Sequence, residues 1–121
     1  MDAKLERGFA RFLSSYLQCA LWAETDGDNP LDKNYLVADI AVETKAKMEA
    51  DCRAFFEKNY HLLDEQFGNA GHDFWLTRNG HGAGFWDGSW EEHGDELTEA
   101  SKAFGEFELS VGDDKKIYSC R

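Results

Sequence analysis

The sequence predicts an α+β domain: two long N-terminal helices, a β-hairpin, a short helix and a second β-hairpin, with the four strands in one antiparallel sheet covered by helices. Three observations predict it. Apolar residues recur at helical spacing over residues 3–24 and again over 42–67. Asn79-Gly80 interrupts the aromatic stretch GHDFWLTRNGHGAGFWDG, residues 71–88, and such a dipeptide suits the two-residue turn that joins antiparallel strands, because both central positions need φ > 0. Glu106 to Val111 alternates polar and apolar residues and runs into Gly112-Asp113-Asp114-Lys115, a turn. At 121 residues the chain, 1–121, is expected to be a single domain.

The first helix carries Leu5, Phe9, Phe12, Tyr16, Cys19 and Ala23 as its apolar stripe, widened by Leu13, Ala20 and Trp22. Lys4, Arg7, Arg11 and Gln18 fall on the wetter side. Thr25 to Asn34 is a loop, since it holds the chain's one proline, Pro30, among Asp, Asn and Gly. In the second helix Met48, Cys52, Phe55, Asn59, Leu62 and Leu63 form the stripe, with Ala41 and Thr44 at its entry. Glu43–Lys47, Glu49–Arg53 and Lys45–Glu49 are four apart, the spacing of a solvated, salt-bridged face. Gly68-Asn69-Ala70-Gly71 is read as the end of that helix.

In the expected hairpin Arg78 pairs with His81, Leu76 with Ala83, Phe74 with Phe85 and Asp73 with Trp86. One face is then Phe74, Leu76, Ala83 and Phe85, and the other carries Asp73, Trp75, Thr77, Gly82, Gly84 and Trp86, with Trp75 over bare glycine backbone. The third helix begins near Asp95, its N-cap, with Leu97, Ala100 and Phe104 as an apolar edge and Gly105 as its left-handed C-terminal cap. Phe107, Leu109 and Val111 point inward from the next strand, and Lys116 to Cys120 completes the sheet.

Composition restricts the function. The formal charge is −11, from 24 acidic and 13 basic residues, so the phosphate backbone of a duplex is repelled and basic protein surfaces are attracted. Cys19, Cys52 and Cys120 are odd in number, widely spaced and without a CxxC pair, which argues for a reducing cytosol and against a disulfide framework or zinc site. MDAKLERGFARFLSS lacks the continuous apolar run of a leader, and no stretch has the length of a membrane span. Asp26, Asp28 and Asp32 do not make a calcium loop, because Leu31 stands where that loop requires glycine and Val37 where it requires glutamate.

No spacing identifies a reaction, so no catalytic residue, metal or cofactor is assigned. His72 and His81 sit far apart in the expected register, His61 and His93 are expected at the surface beside acidic neighbours, and glycines 80, 82, 84 and 88 precede no lysine of a phosphate loop. Two binding surfaces remain. Asp87, Glu91, Glu92, Asp95, Glu96 and Glu99 put six carboxylates into thirteen residues with no Lys or Arg, a fit for a host protein with a basic surface. Alternatively Trp75, Arg78, Asn79, His81 and Trp86 form a stacking platform at the hairpin tip for a small ligand or a single nucleic-acid strand.

GHDFWLTRNGHGAGFWDG, followed by LTEASKAFGEFELSVGDDKKIYS, resembles a family of small acidic proteins encoded by tailed bacteriophages and other mobile elements. The resemblance covers most of the chain, including YLQCALW and NPLDKNY, but Gly88 stands where many relatives have an arginine after FWD. It carries no catalytic residues across. What it implies is a phage accessory protein in the bacterial cytoplasm, most simply an inhibitor of a defence system (anti-CRISPR or anti-restriction) that mimics nucleic acid with its acidic segment.

Overall fold

A computed structural model describes residues 2–88, 90 and 92–119. Four helices and two small antiparallel strand pairs follow one another: α1 (Ala3–Ala23), β1 (Thr25–Asp26), β2 (Asn29–Pro30), α2 (Val42–Asn59), α3 (Phe67–Arg78), α4 (Gly94–Lys102), β3 (Leu109–Val111) and β4 (Ile117–Ser119). The α+β class holds, but the strands form two separate two-stranded hairpins and not one four-stranded sheet. In the first, Thr25 faces Pro30; in the second, Val111 faces Ile117. A single parallel bridge from Ile40 to Ile117 ties the second hairpin to the entry of α2.

The largest correction concerns residues 71–88. Their first half is helical, and Asn79-Gly80 terminates α3 where a hairpin turn was expected. Asn79 is the C-cap, Gly80 takes φ +70, the Gly80 N–H donates to the Thr77 carbonyl (3.2 Å) and the His81 N–H to the Leu76 carbonyl (3.0 Å). That is a Schellman closure, and it needs the same left-handed residue as a type I′ turn. What separates the two outcomes is packing. Phe67, Ala70, Phe74 and Arg78 recur at helical spacing on a face that lies against α1, so helix burial overrides the local turn signal.

Gly68-Asn69-Ala70-Gly71 likewise lies inside α3, not at the end of α2. A β-carbon on Gly71 would collide with the Phe12 backbone carbonyl, so this glycine allows α1 and α3 to approach closely. The helix predicted over 42–67 instead stops at Asn59, continues as one 3₁₀ turn, Tyr60–Leu62, and breaks where Asp64 and Glu65 take φ of 51° and 58°.

α1 matches its predicted span and is capped by Asp2, whose Oδ1 accepts from the Leu5 N–H at 2.9 Å. Its stripe meets those of α2 and α3 in an aromatic core, in which Phe55 stacks on Phe74 at 4.2 Å and Phe12 on Phe55 at 5.7 Å. Trp22 departs from the expected stripe: it is 58% exposed, and its ring lies 6.1 Å from that of His72. The expected Glu49–Arg53 pair gives way to a link between helices. Arg53 reaches Glu6 of α1 at 2.8 Å and lies 4.0 Å over the Phe9 ring.

α4 starts two residues early, with His93 and not Asp95 as its N-cap, and Gly105 takes φ +74 just past it, as expected. Leu109 and Ile117 of the second hairpin and Phe107 just before it are buried. Among the described residues no helix is long and apolar enough to cross a membrane.

Candidate functional site

The expected stacking platform is dismantled by α3. Trp75 is fully buried, edge-on to Tyr16 at 5.4 Å. Arg78 has a side chain only 2% exposed, and its guanidinium is spent on internal acceptors. Nε donates to the Gly105 carbonyl (2.8 Å), Nη1 to Asp51 Oδ2 and the Tyr16 hydroxyl (both 2.9 Å), and Nη2 to the Phe104 carbonyl (3.2 Å). Asn79 is committed too: its amide donates to the Trp75 carbonyl and its oxygen accepts from the Phe107 N–H. Of the five residues only Trp86 is substantially exposed, with His81 half-buried. The structure therefore does not bring them together as a binding surface. Arg78, read from sequence as a ligand donor, fastens α1, α2 and α3 to the chain leaving α4.

Burial explains the titration of this cluster. The Tyr16 hydroxyl is pushed far above the ordinary phenol range by desolvation, against which the Arg78 charge works, and the Cys52 thiol is raised for the same reason.

The acidic segment has a different fate. Between α3 and α4 the chain makes an irregular loop anchored by two rings: Phe85 is buried, and Trp90 packs against it edge-on at 5.3 Å. The Phe85 N–H donates to Thr77 Oγ1 (3.0 Å), and Trp90 Nε1 donates to Asp73 Oδ2 at 2.7 Å. The other Asp73 oxygen lies 3.2 Å from His72 Nδ1. With its ends fixed, the loop exposes Trp86 and Asp87 and delivers Glu92 to the start of α4. Leu97, Thr98 and Ser101 turn inward from α4, leaving Asp95, Glu96 and Glu99 exposed on its outer face. Glu91 lies outside the described residues.

Two recesses flank this surface. One, of about 530 Å³, opens between the turn after α2 and the loop, and is lined by His61, Asp64, Gln66, Trp90, Glu92 and His93. The other, about 270 Å³, shares Gln66 and Trp90 and adds Asn69, Asp73 and Asp87. His93 stands between two carboxylates, with Nε2 3.7 Å from Glu92 and Nδ1 3.6 Å from Glu96. Among the described residues its Nδ1 is buried without a hydrogen-bond partner.

The sequence reading named the acidic run but missed the recess. The available signal was charge placement: from residue 59 to 101 the chain has nine carboxylates, all four of its histidines and a single Lys or Arg, namely Arg78. Because Arg78 is buried and paired with Asp51, it contributes no exposed positive charge to this side of the molecule. Among the described residues no Lys or Arg pairs with Glu92, Asp95, Glu96 or Glu99, and no His, Cys, Asp and Glu side chains are grouped closely enough to hold a metal ion.

These features define a small α+β protein with one acidic face bordered by a histidine-containing recess. No family model matches the chain, and neither a curated protein nor a solved structure is detectably similar to it.

Proposed function

We propose that the chain is a binding protein that engages a basic, nucleic-acid-binding surface of another protein through Asp87, Glu92, Asp95, Glu96 and Glu99, with Glu91 in the same run of sequence. The observation that supports this is the missing cation. Four of these carboxylates (Glu92, Asp95, Glu96 and Glu99) face solvent on one side of the loop and α4 without a Lys or Arg counterion among the described residues. Within α4 helix geometry supplies the spacing, because Asp95 and Glu99 are four residues apart on successive turns. Their mutual repulsion is a cost in the free protein that a basic partner relieves. Asp95 and Glu96 are partly offset already, since they lie at the positive end of the α4 dipole.

The finer reading, an inhibitor of a bacterial defence system that occupies a CRISPR–Cas or restriction enzyme's nucleic-acid channel, rests on the resemblance to phage-encoded proteins. The test has two stages. Wild-type protein is expected to capture a basic host protein at low salt, to release it at high salt, and to slow nucleic-acid cleavage by the captured nuclease. A variant with Glu92, Asp95, Glu96 and Glu99 changed to lysine is expected to lose capture while its circular dichroism is unchanged. Capture that survives the four reversals rules the face out. A captured protein without nuclease activity rules out the finer reading alone.

A further inference from the structure

The structure points to a proton gate on this face, an inference that rests on the binding reading above and adds its regulation. All four histidines of the chain fall between residues 61 and 93, where no exposed lysine or arginine occurs. They are therefore the groups that can change the sign balance of this side of the molecule near neutral pH, since imidazole takes up its proton between about pH 5 and 8 while carboxylates stay ionised.

We infer that His61 and His93, which line one recess with Asp64 and Glu92, lower the affinity of the acidic face for a basic partner when they bind protons. His93 caps α4 between Glu92 and Glu96, at 3.7 and 3.6 Å, so its proton would neutralise carboxylates that the partner uses. Across the recess the turn after α2 presents His61 and Asp64. His61 also borders a third recess, shared with Asp2, Lys4, Asp64 and Glu65. There Lys4 is occupied by Glu65 at 2.9 Å, which leaves the exposed carboxylates of Asp2 and Asp64 on that side. A proton on each imidazole converts a recess of two carboxylates into one of no net charge.

The experiment uses a fluorescein-labelled octaarginine peptide, because arginine keeps its charge throughout the histidine range. Affinity is measured at constant ionic strength from about pH 7.5 to about pH 5.5. The expected result is about tenfold weaker binding at the lower pH, as two added charges across a screened interface each cost a factor of roughly three. Changing both residues, His61→Gln and His93→Gln, should remove most of that dependence while leaving binding at the higher pH unchanged. His81→Gln, which removes an imidazole that lines neither recess, should retain it. Binding that is flat with pH, or that keeps its full dependence in the double variant, overturns the gate and leaves the acidic-face reading standing. Absence of peptide binding by wild-type protein at any pH overturns both.

Discussion

Replacing Arg78 should unfold this protein more readily than almost any other single polar substitution, and the structure gives the size of the effect. The guanidinium is nearly fully desolvated and serves four acceptors on separate pieces of chain. It also lies 5.3–5.7 Å from the ring centroids of Phe74, Phe104 and Phe107. In an Arg78→Met variant, which keeps much of the volume, the Tyr16 hydroxyl and the carbonyls of Phe104 and Gly105 lose their donors. Stranded buried groups cost about 1–3 kcal/mol each, with some relief where water can enter. Asp51, whose side chain is 33% exposed, returns to solvent cheaply. The expected loss is therefore about 3–5 kcal/mol, against a total stability of about 5–15 kcal/mol for a domain of ordinary stability.

Urea unfolding at neutral pH, followed by tryptophan fluorescence and far-ultraviolet circular dichroism, measures this directly, with an unchanged m-value confirming that the same surface unfolds. Two companions isolate the cause. Asp51→Asn should cost only about 1 kcal/mol, because Arg78 keeps its other three acceptors. Arg78→Lys should fall between, since one ammonium cannot span acceptors arranged around a planar fork. The reasoning fails if Arg78→Met costs less than about 1 kcal/mol, or if Asp51→Asn is as damaging as Arg78→Met, which would place the energy in the ion pair and not in the carbonyl anchors.

Two glycines of α3 should respond in opposite directions. Gly71→Ala forces a methyl into the Phe12 carbonyl and is expected to destabilise by about 2 kcal/mol even after the gain in helix propensity. At Gly68 the nearest contact is Ser15 Oγ at 3.4 Å, so Gly68→Ala should stabilise by up to about 1 kcal/mol in the same unfolding assay. The buried cysteines give a pH prediction. Burial, reinforced by Asp73, pushes the Cys19 thiol up to about 12 from an ordinary value of 9.0, and Cys52 is raised as well. At alkaline pH the unfolded chain then releases protons that the folded chain retains, so the stabilisation present below about pH 9 is lost as pH rises toward 12. Thermal melts across that range should show the decline, and it should shrink in Cys19→Ala. In a Cys120→Ser background the remaining thiols should react with Ellman's reagent only after denaturation.

How much could be read from sequence depended on whether one physical effect decided a segment alone. Phe9, Phe12 and Tyr16 are spaced so that only a helix buries them together, and α1 appears where expected. The stretch after it was ambiguous because Asn79-Gly80 satisfies two structures that share a left-handed glycine, and its neighbours Gly68 and Gly71 weaken helix propensity locally. The deciding energy is the fit of Gly71 against the Phe12 carbonyl, a contact between residues 59 positions apart that no local window contains. Arg78 was misassigned for the same reason: its partners Tyr16, Asp51 and Phe104 lie 62, 27 and 26 positions away. The exposure of Asp95, Glu96 and Glu99 was easier to read, because an unpaired carboxylate is driven to solvent whatever fold surrounds it. That asymmetry bears on function. Burying Arg78 removes from the surface the one Lys or Arg between residues 59 and 101, so folding itself makes this stretch more negative than the sequence alone suggests. A partner bound there meets carboxylates whose cationic neighbour on α4 is the exposed Lys102 of its last turn, and whose further capacity for positive charge is histidine.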